Sequence, residues 1–467
     1  MKKVFIFLYL LPVFYNTNAQ QIIYDDSLPV QNLQEVIIKA YEQRKKLIDV
    51  PAAINYIAKS QLDRFNNTSI LPALNVTPGV RMEERSPGSY RLNIRGSTLR
   101  SPFGVRNVKI YWNGIPFTDP GGTTYLNQLG YYNFNSIEII KGPASSMYGA
   151  GTGGAVLINS QPGIWSNGID LAYVRGSFDM SSLNIELRAG NDDHLNRINY
   201  THQSSDGYRD HTNMRRDVVT METQIKANDK QQLNASVLYG DLYYQTPGGL
   251  TKTEYNNNPK AARPNADLLK SAIYQQTFLT GLVHNYQFNT HFQNSSVVYG
   301  AFSLIKNPTF LNYEKRTEPH FGGRTVFTWQ QQLTNTNIQV LFGGEGQRGF
   351  FNTKTFKNKQ GNPDTLLTDD EINNWIYSAF VQTDIQFPGN WSINAGMSIN
   401  KSFIKITRLS VPSFVPAKRT YNSEWAPRLA VSKKVIPNVM LYASISKGFS
   451  PPTAQEILPS TSVISTG

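Results

Sequence analysis

The sequence predicts a mostly β protein in two parts, an N-terminal α+β domain and a long antiparallel β-barrel of the transmembrane kind. Strict alternation is the first reason. From Ile169 onward apolar and polar residues take turns: Trp391, Ile393, Ala395, Met397 and Ile399 alternate with Ser392, Asn394, Gly396, Ser398 and Asn400. Leu233, Ala235, Val237 and Tyr239 repeat the pattern, as do Val439, Leu441, Ala443 and Ile445. One apolar and one polar face suit lipid outside and water inside. The second reason is the spacing of the breaks. Short connections at 190–194, 227–230, 288–291, 334–337, 388–390 and 437–438 interleave with longer links at 204–215, 245–269, 306–321, 350–373 and 407–421. An up-and-down barrel with tight turns at one end and long loops at the other predicts that rhythm, and a Greek-key sandwich does not. Third, aromatics reach 12% while hydrophobic residues total only 40%, with 25 Tyr and 24 Phe. A secreted β-sandwich is also tyrosine-rich, so the first two observations decide between them.

Composition removes several function classes. The absence of cysteine excludes a disulfide framework, a thiolate metal site and a cysteine nucleophile. The six histidines show no metal-ligand spacing. The formal net charge of +12 is spread along the chain, with no nucleic-acid-binding module, which reads as a solvated surface and a somewhat cationic lumen.

Taken in order, residues 1–19 read as a secretory signal: Lys2 and Lys3, an apolar run from Val4 to Tyr15, and the small-residue site Thr17-Asn18-Ala19. That run is too short to span a bilayer and no later stretch is long enough, so membrane entry would require a closed barrel. Residues 20–40 read as a flexible segment ending in a strand-prone run, Glu35-Val36-Ile37-Ile38-Lys39-Ala40, able to add to a partner's sheet. Residues 41–163 read as the α+β domain and 164–467 as the barrel part. In the former, Ser60-Gln61-Leu62-Asp63 suggests a capped helix start, and a second short helix from Ser69 to Asn75 is stopped by Thr77-Pro78-Gly79. Strands are predicted from Val80, over Tyr90 to Gly96, and over Val108 to Trp112, the last turned by Asn113-Gly114. Ile137 to Ser160 then reads as strand, pinned turn, one helical turn from Ala144 to Tyr148, glycine hairpin and strand. Gly149, Gly151 and Gly154 spell the dinucleotide pattern, but a helical turn precedes it and a strand follows, the reverse of what a phosphate site needs.

The run IEIIKGPASSMYGAGTGGAVLINS resembles the end of the plug domain of TonB-dependent outer-membrane receptors, with Lys141 where arginine is more usual. The helix, "PGV", "IRG", "NG-IP" and "KGP" elements follow the family's order over residues 35 to 160. The resemblance implies a plug inside a barrel, no catalysis, no cofactor, and TonB with ExbB-ExbD as partner. It assigns Glu35 to Ala40 to the TonB box. Arg95, Gly96, Glu138, Lys141, Gly142, Pro143, Tyr148 and Gly149 become plug motif residues. Arg95 is expected to be buried against barrel-wall glutamates. The plug loops 81–89, 97–106 and 118–131 become an outward apex, with Arg85, Arg100 and Tyr125 as ligand-binding candidates. The segment TPGGLTKTEYNNNPKAARP resembles receptors of the ferric-dicitrate type, which adds Gln245 and Arg263. Lys447-Gly448-Phe449-Ser450-Pro451-Pro452-Thr453, with Glu456, resembles a barrel motif of iron-chelate receptors. The implied activity is uptake of a ferric chelate, iron travelling only as cargo. Cobalamin, a metal ion or a glycan are the alternative cargoes, and a secreted β-rich binding protein is the rival from another class.

The sequence departs from that family in length. About 13 candidate strands are present where plugged transporters have about 22, which leads to the expectation that this is the N-terminal part of a longer receptor or a truncated gene product.

Overall fold

The computed structural model describes residues 36–86, 88–97, 104–452 and 454–457. The signal expected at 1–19, Glu35 and Arg100 lie outside them.

The N-terminal part is built around a five-stranded sheet. Its strands are β3 (Ile54–Ala58), β6 (Val108–Trp112), β7 (Ile115–Pro116), β8 (Ser136–Lys141) and β9 (Gly154–Asn159), in the order β3-β8-β9-β6-β7. β6 and β9 run parallel and the other pairs antiparallel. Two small ribbons flank it, β1 (Ile37–Ile38) with β2 (Lys45–Lys46), and β4 (Val80–Glu84) with β5 (Tyr90–Ile94). Short helices α1 (Lys59–Leu62), α2 (Leu71–Asn75) and α3 (Ser145–Tyr148) complete it. α1 begins one residue before the expected Ser60: Gln61 reaches back to the Ala58 N–H, so Ala58 is the cap position. The Ser69 hydroxyl accepts the Leu71 N–H and opens α2. Every residue of β6 is buried, and Trp112, Ile110 and Ile115 are fully so. The Asn113-Gly114 turn has positive φ at both residues, the geometry of a tight hairpin.

The remaining strands form one antiparallel sheet: β10 (Gly168–Arg175), β11 (Ser181–Gly190), β12 (His194–Ser205), β13 (Met214–Asn228), β14 (Gln231–Gln245), β15 (Ala272–Gln287), β16 (Phe292–Pro308), β17 (Tyr313–Thr317), β18 (His320–Gln332), β19 (Asn337–Lys359), β20 (Asn362–Phe387), β21 (Trp391–Arg408), β22 (Ala417–Thr420), β23 (Glu424–Ile436) and β24 (Val439–Ser446). β17 and β18 share the place between β16 and β19, and β22 and β23 both pair with β21, so the 15 strands fill 13 positions. Helix α4 (Lys252–Asn257) lies in the β14–β15 link and α5 (Ala454–Ile457) follows β24.

The sheet is inside out relative to a water-soluble protein. On β21, Asn394, Ser398 and Asn400 are at most 3% exposed while Met397 is 42% exposed. On β16, Ser303 is buried and Val298 is 62% exposed. Apolar side chains outward and polar ones inward suit a lipid-facing wall around a polar interior. Among the described residues no helix is long and apolar enough to cross a membrane.

All six short connections expected from the sequence are tight turns between consecutive strands. Two of the expected long loops are corrected. Residues 350–373 are not a loop: β19 and β20, 23 and 26 residues long, continue as paired strands to a two-residue turn at Gln360-Gly361. Since a bilayer needs strands of only about 9–11 residues, this hairpin projects well beyond it. Residues 306–321 contain β17, a short third strand laid against its base. The charged sequence reads as loop because only the base of the arm, where Phe351 and Ile372 join Ile404 and Ile406 in a small cluster, has a buried apolar side. Asn358 Nδ2 fixes the arm by donating to the carbonyls of Leu269 and Thr309, in two other links.

Candidate functional site

The Ile137–Ser160 run folds as its glycines require. Gly154 has φ +129°, and a Cβ there would stand 1.9 Å from the Ile140 carbonyl oxygen, so only glycine lets β9 close on β8. A strand, β9, follows the G-x-G-x-x-G run, so no helix N-terminus stands after it to receive a phosphate.

Two motif residues hold the segment expected to be the TonB box. The Glu138 carboxylate accepts the N–H groups of Lys39 and Ala40, each at 2.9 Å, and the Tyr148 hydroxyl accepts the Tyr41 N–H at 2.8 Å. Burial pushes the Glu138 carboxyl above its ordinary value, partly opposed by those two N–H donors. The segment is therefore docked rather than free. Ile38 and Ala40 are fully buried, whereas Val36 and Ile37 are exposed. Tyr41, Glu42 and Arg44 follow with φ of 56°, 58° and 45°, a left-handed run that costs energy for residues with side chains. Lys45 pairs with Asp384 and Asp49 with Lys434 at 2.9 Å, near the short-turn end of the sheet.

Between plug and wall, four lumen-facing arginines each donate to a plug carbonyl: Arg197 to Tyr132, Arg216 to Asn127, Arg324 to Met147 and Arg428 to Pro51. At the centre, Glu345 of β19 receives Lys109 at 2.9 Å, the Tyr111 hydroxyl at 2.7 Å and Arg324 at 3.2 Å. Arg324 also meets Glu42 at 3.4 Å and lies over the rings of Tyr111, Tyr148 and Phe380. Charge is thereby paired in a place where an unpaired ion is costly.

This corrects the role expected of Arg95. It is exposed, with φ +50°, and donates to the Lys141 carbonyl at 3.3 Å; no ion pair of it with a carboxylate is present among the described residues. Lys141 turns the same way, its ammonium on the Pro78 carbonyl, and Gly142 packs against the Arg95 guanidinium. A left-handed residue at the end of the β4–β5 ribbon aims its side chain along the plug surface, so the wall glutamate is met by Lys109 instead. Gly96 carries the turn with φ +84°, Gly142 with +96° and Gly149 with +71°. Pro143 packs on Gly448 of the Lys447–Pro452 stretch, and Gly151 N–H bonds the Phe449 carbonyl. A lone lysine inside the apolar run Val108–Trp112 was the available sequence signal for this pairing.

At the long-loop end the candidates do not converge on one pocket. Tyr125 donates to Glu318 at 2.6 Å, and Arg316 lies 3.6 Å from the same carboxylate. Asp119, close to this group, is buried; desolvation and the Glu318 charge push its carboxyl up to about 7, against the pull of the Thr123 and Gly121 N–H groups. Arg85 N–H bonds the Ser89 carbonyl in a loop whose Gly88 packs on Tyr244. Gln245, next along β14, accepts the Asn213 N–H through its amide oxygen. Arg263 is exposed and stacks on Phe310. A cleft of about 680 Å³ lies instead beside β21 and β22, lined by Lys401, Arg419, Tyr421, Glu424 and Lys447 among others. No group of three or more His, Cys, Asp or Glu placed to hold a metal ion occurs among the described residues.

A sheet with a lipid-suited outer face and a folded domain seated against its inner face is the arrangement of a plugged barrel wall. The description "TonB-dependent Receptor Plug Domain" matches residues 46–156 and "TonB dependent receptor-like, beta-barrel" matches residues 111–467. The chain belongs to the TonB-dependent receptor family, whose barrels are outer-membrane proteins. It is similar to the metal-pseudopaline receptor CntO of Pseudomonas aeruginosa, 22% identical over 462 residues, covering 87% of this chain and 62% of that protein. Among solved structures it resembles the unliganded ferric citrate transporter FecA, with TM-score 0.76 and 16% identity over 88% of this chain and 64% of that one. It also resembles the siderophore receptor PiuA from Acinetobacter baumannii, with TM-score 0.69 and 13% identity over 87% and 66%. The chain thus spans less than two thirds of the length of CntO and FecA.

Proposed function

We propose that the protein imports a ferric chelate, a siderophore or ferric citrate, across the outer membrane, with TonB-ExbB-ExbD supplying the energy from the periplasmic side. In this reading Glu35 to Ala40 is the strand offered to TonB, and the cargo first meets the plug apex and long loops around Arg85, Arg100, Tyr125, Gln245 and Arg263. Iron is cargo and never a resident cofactor. The observation that carries the reading is the docking of residues 38–41 on Glu138 and Tyr148. The segment that would engage a partner is bonded to the helix and strand that fill the lumen, so pulling on it would load the plug directly. Added β-pairing with a partner would replace the lost N–H bonds.

A second cargo is favoured by one specific finding. One relative aligned over most of this chain is a metal-pseudopaline receptor, so a metal–pseudopaline-like complex is the competing substrate. Uptake of radiolabelled iron citrate, ferric siderophore and divalent-metal chelates into cells expressing the gene, with and without TonB, separates the two. TonB-dependent iron uptake supports the first reading, TonB-dependent uptake of only the other metals supports the second, and TonB-independent uptake overturns both.

A further inference from the structure

We propose, resting on the import reading above, that Arg216 on the inner face of β13 is a transit site for an anionic cargo. The plug covers it at rest and bares it on moving away, so passage through the barrel selects for negative charge.

Four wall arginines donate to plug carbonyls, and three of them have a counter-charge close by in the wall itself. Arg197 holds Glu186 at 2.7 Å and Glu222 at 2.8 Å. Arg324 holds Glu345 at 3.2 Å. Arg428 donates to Asn394, whose amide in turn donates to Asp384 at 3.3 Å. Arg216 differs. Its wall acceptor is the neutral amide oxygen of Gln203, and it has no ion pair with a wall carboxylate among the described residues. Its direct strand partners, Gln203 and Leu242, are both uncharged. Glu222, lower on β13, is taken by Arg197, while Asp217 and Asp241 lie on the outward face with Arg215.

The plug supplies the missing compensation. The Asn127 carbonyl accepts from Arg216 at 3.1 Å, and Glu84 and Tyr90, paired across the β4–β5 ribbon, stand beside its guanidinium. Arg216 is 2% exposed, and its Nε has no hydrogen-bond partner among the described residues. An ion so placed is costly unless paired. Movement that carries the ribbon and Asn127 away from β13 removes the carboxylate and the carbonyl together. The guanidinium then faces the lumen with one neutral acceptor. A carboxylate or another anionic oxygen pair on the cargo fits its fork of donors and restores the counter-charge. The position suits passage: Arg216 is two residues in from Met214, the outer end of β13, just beneath Asn213 and Gln245 at the long-loop end. A neutral cargo gains nothing there.

The test separates binding from transport in cells carrying the whole receptor in the outer membrane, with radiolabelled ferric citrate and a ferric tris-catecholate as probes. Binding is read on de-energised cells and transport as the TonB-dependent initial rate. Gln203→Glu puts a permanent wall carboxylate beside Arg216 and leaves the bond to Asn127 in place. Its uptake should fall on the order of tenfold while its binding matches wild type. Gln203→Leu, which like Gln203→Glu gives up the amide bond to the Thr68 carbonyl, should keep the rate. Arg216→Gln should show the same split as Gln203→Glu, and Arg216→Lys should keep most of the rate. Glu84→Gln tests for a seating role, because it removes the plug's carboxylate and leaves Arg216; its rate should equal or exceed wild type. A rate in Glu84→Gln as low as in Arg216→Gln overturns the proposal by making the pair a plug anchor, and an unchanged rate in Gln203→Glu overturns it outright. Wild-type cells that take up neither probe through TonB refute the import reading and the site together, whereas wild-type uptake that Gln203→Glu and Arg216→Gln leave unaltered refutes the site alone.

Discussion

The pairing of plug to wall at Glu345 can be tested by breaking it and then repairing the charge. Lys109 and Arg324 bring two positive charges, Glu345 and Glu42 two negative ones, and Lys109, Arg324 and Glu345 are each at most 8% exposed. Glu345→Gln removes the carboxylate that three donors share and leaves two cations against one anion. Breaking a buried pair from one side costs about 3–5 kcal/mol, mostly because the remaining ion is stranded. Lys109→Met should cost less, because Glu345 keeps Arg324 at 3.2 Å and the Tyr111 hydroxyl at 2.7 Å. In the double variant one positive and one negative charge remain, Arg324 with Glu42, so neutrality returns. Its cost should fall short of the sum of the single costs by about 2 kcal/mol or more.

The readout is protease protection of the plug, titrated with urea in outer-membrane preparations of the whole protein. With a slope of about 1–3 kcal/mol per molar urea, the Glu345→Gln loss moves the midpoint down by roughly 2 M, and the double variant recovers part of that. Strict additivity of the two single effects, within about 0.5 kcal/mol, would refute coupling through Glu345 and with it the idea that this cluster seats the plug.

Three further outcomes follow from the same geometry. Glu138→Ala/Tyr148→Phe removes two charge-assisted N–H bonds and one hydroxyl acceptor, worth about 1.5–3 kcal/mol for each charged one. Labelling of an Ile38→Cys reporter by an impermeant maleimide should then rise at least about tenfold, and an unchanged rate would show that the segment is held elsewhere. Gly154→Ala should abolish the protease-resistant plug, since its Cβ has no room beside the Ile140 carbonyl, and a fully protected plug would contradict the β8–β9 register. For Asp119 the sign runs from its raised value: the folded apex binds the proton more tightly than the unfolded chain, so stability is fullest below about pH 4 and falls as pH rises through about 7. Asp119→Asn should flatten that fall, measured by protection of the 118–131 loop between pH 5 and 8; an unaltered slope would assign it to another group.

What the sequence made legible is what one chain segment decides alone. Alternation at Trp391–Ile399 reads directly as a strand with two unlike faces, and the short turns mark where each strand reverses. The glycines of 149–154 are forced by local backbone geometry, so that run was readable without its neighbours. The meeting of Lys109 and Arg324 on Glu345 was not readable, because Lys109 lies more than 200 positions from the other two and only the register of β18 against β19, together with the seating of β6, brings them together. The β19–β20 arm failed for the opposite reason. Its pairing is local, but beyond the base, where Phe351 and Ile372 are buried, it lacks the sustained apolar face that announces a strand.

Arg95 shows a third kind of failure. A motif carries a residue's identity, while its partner depends on which wall stands opposite. Here the left-handed turn at Arg95 and Gly96 directs the guanidinium to Lys141, so two positive side chains lie close together on an exposed part of the plug. Burial and the nearby Arg95 lower the affinity of Lys141 for its proton, the direction expected when like charges are brought together without a counter-ion.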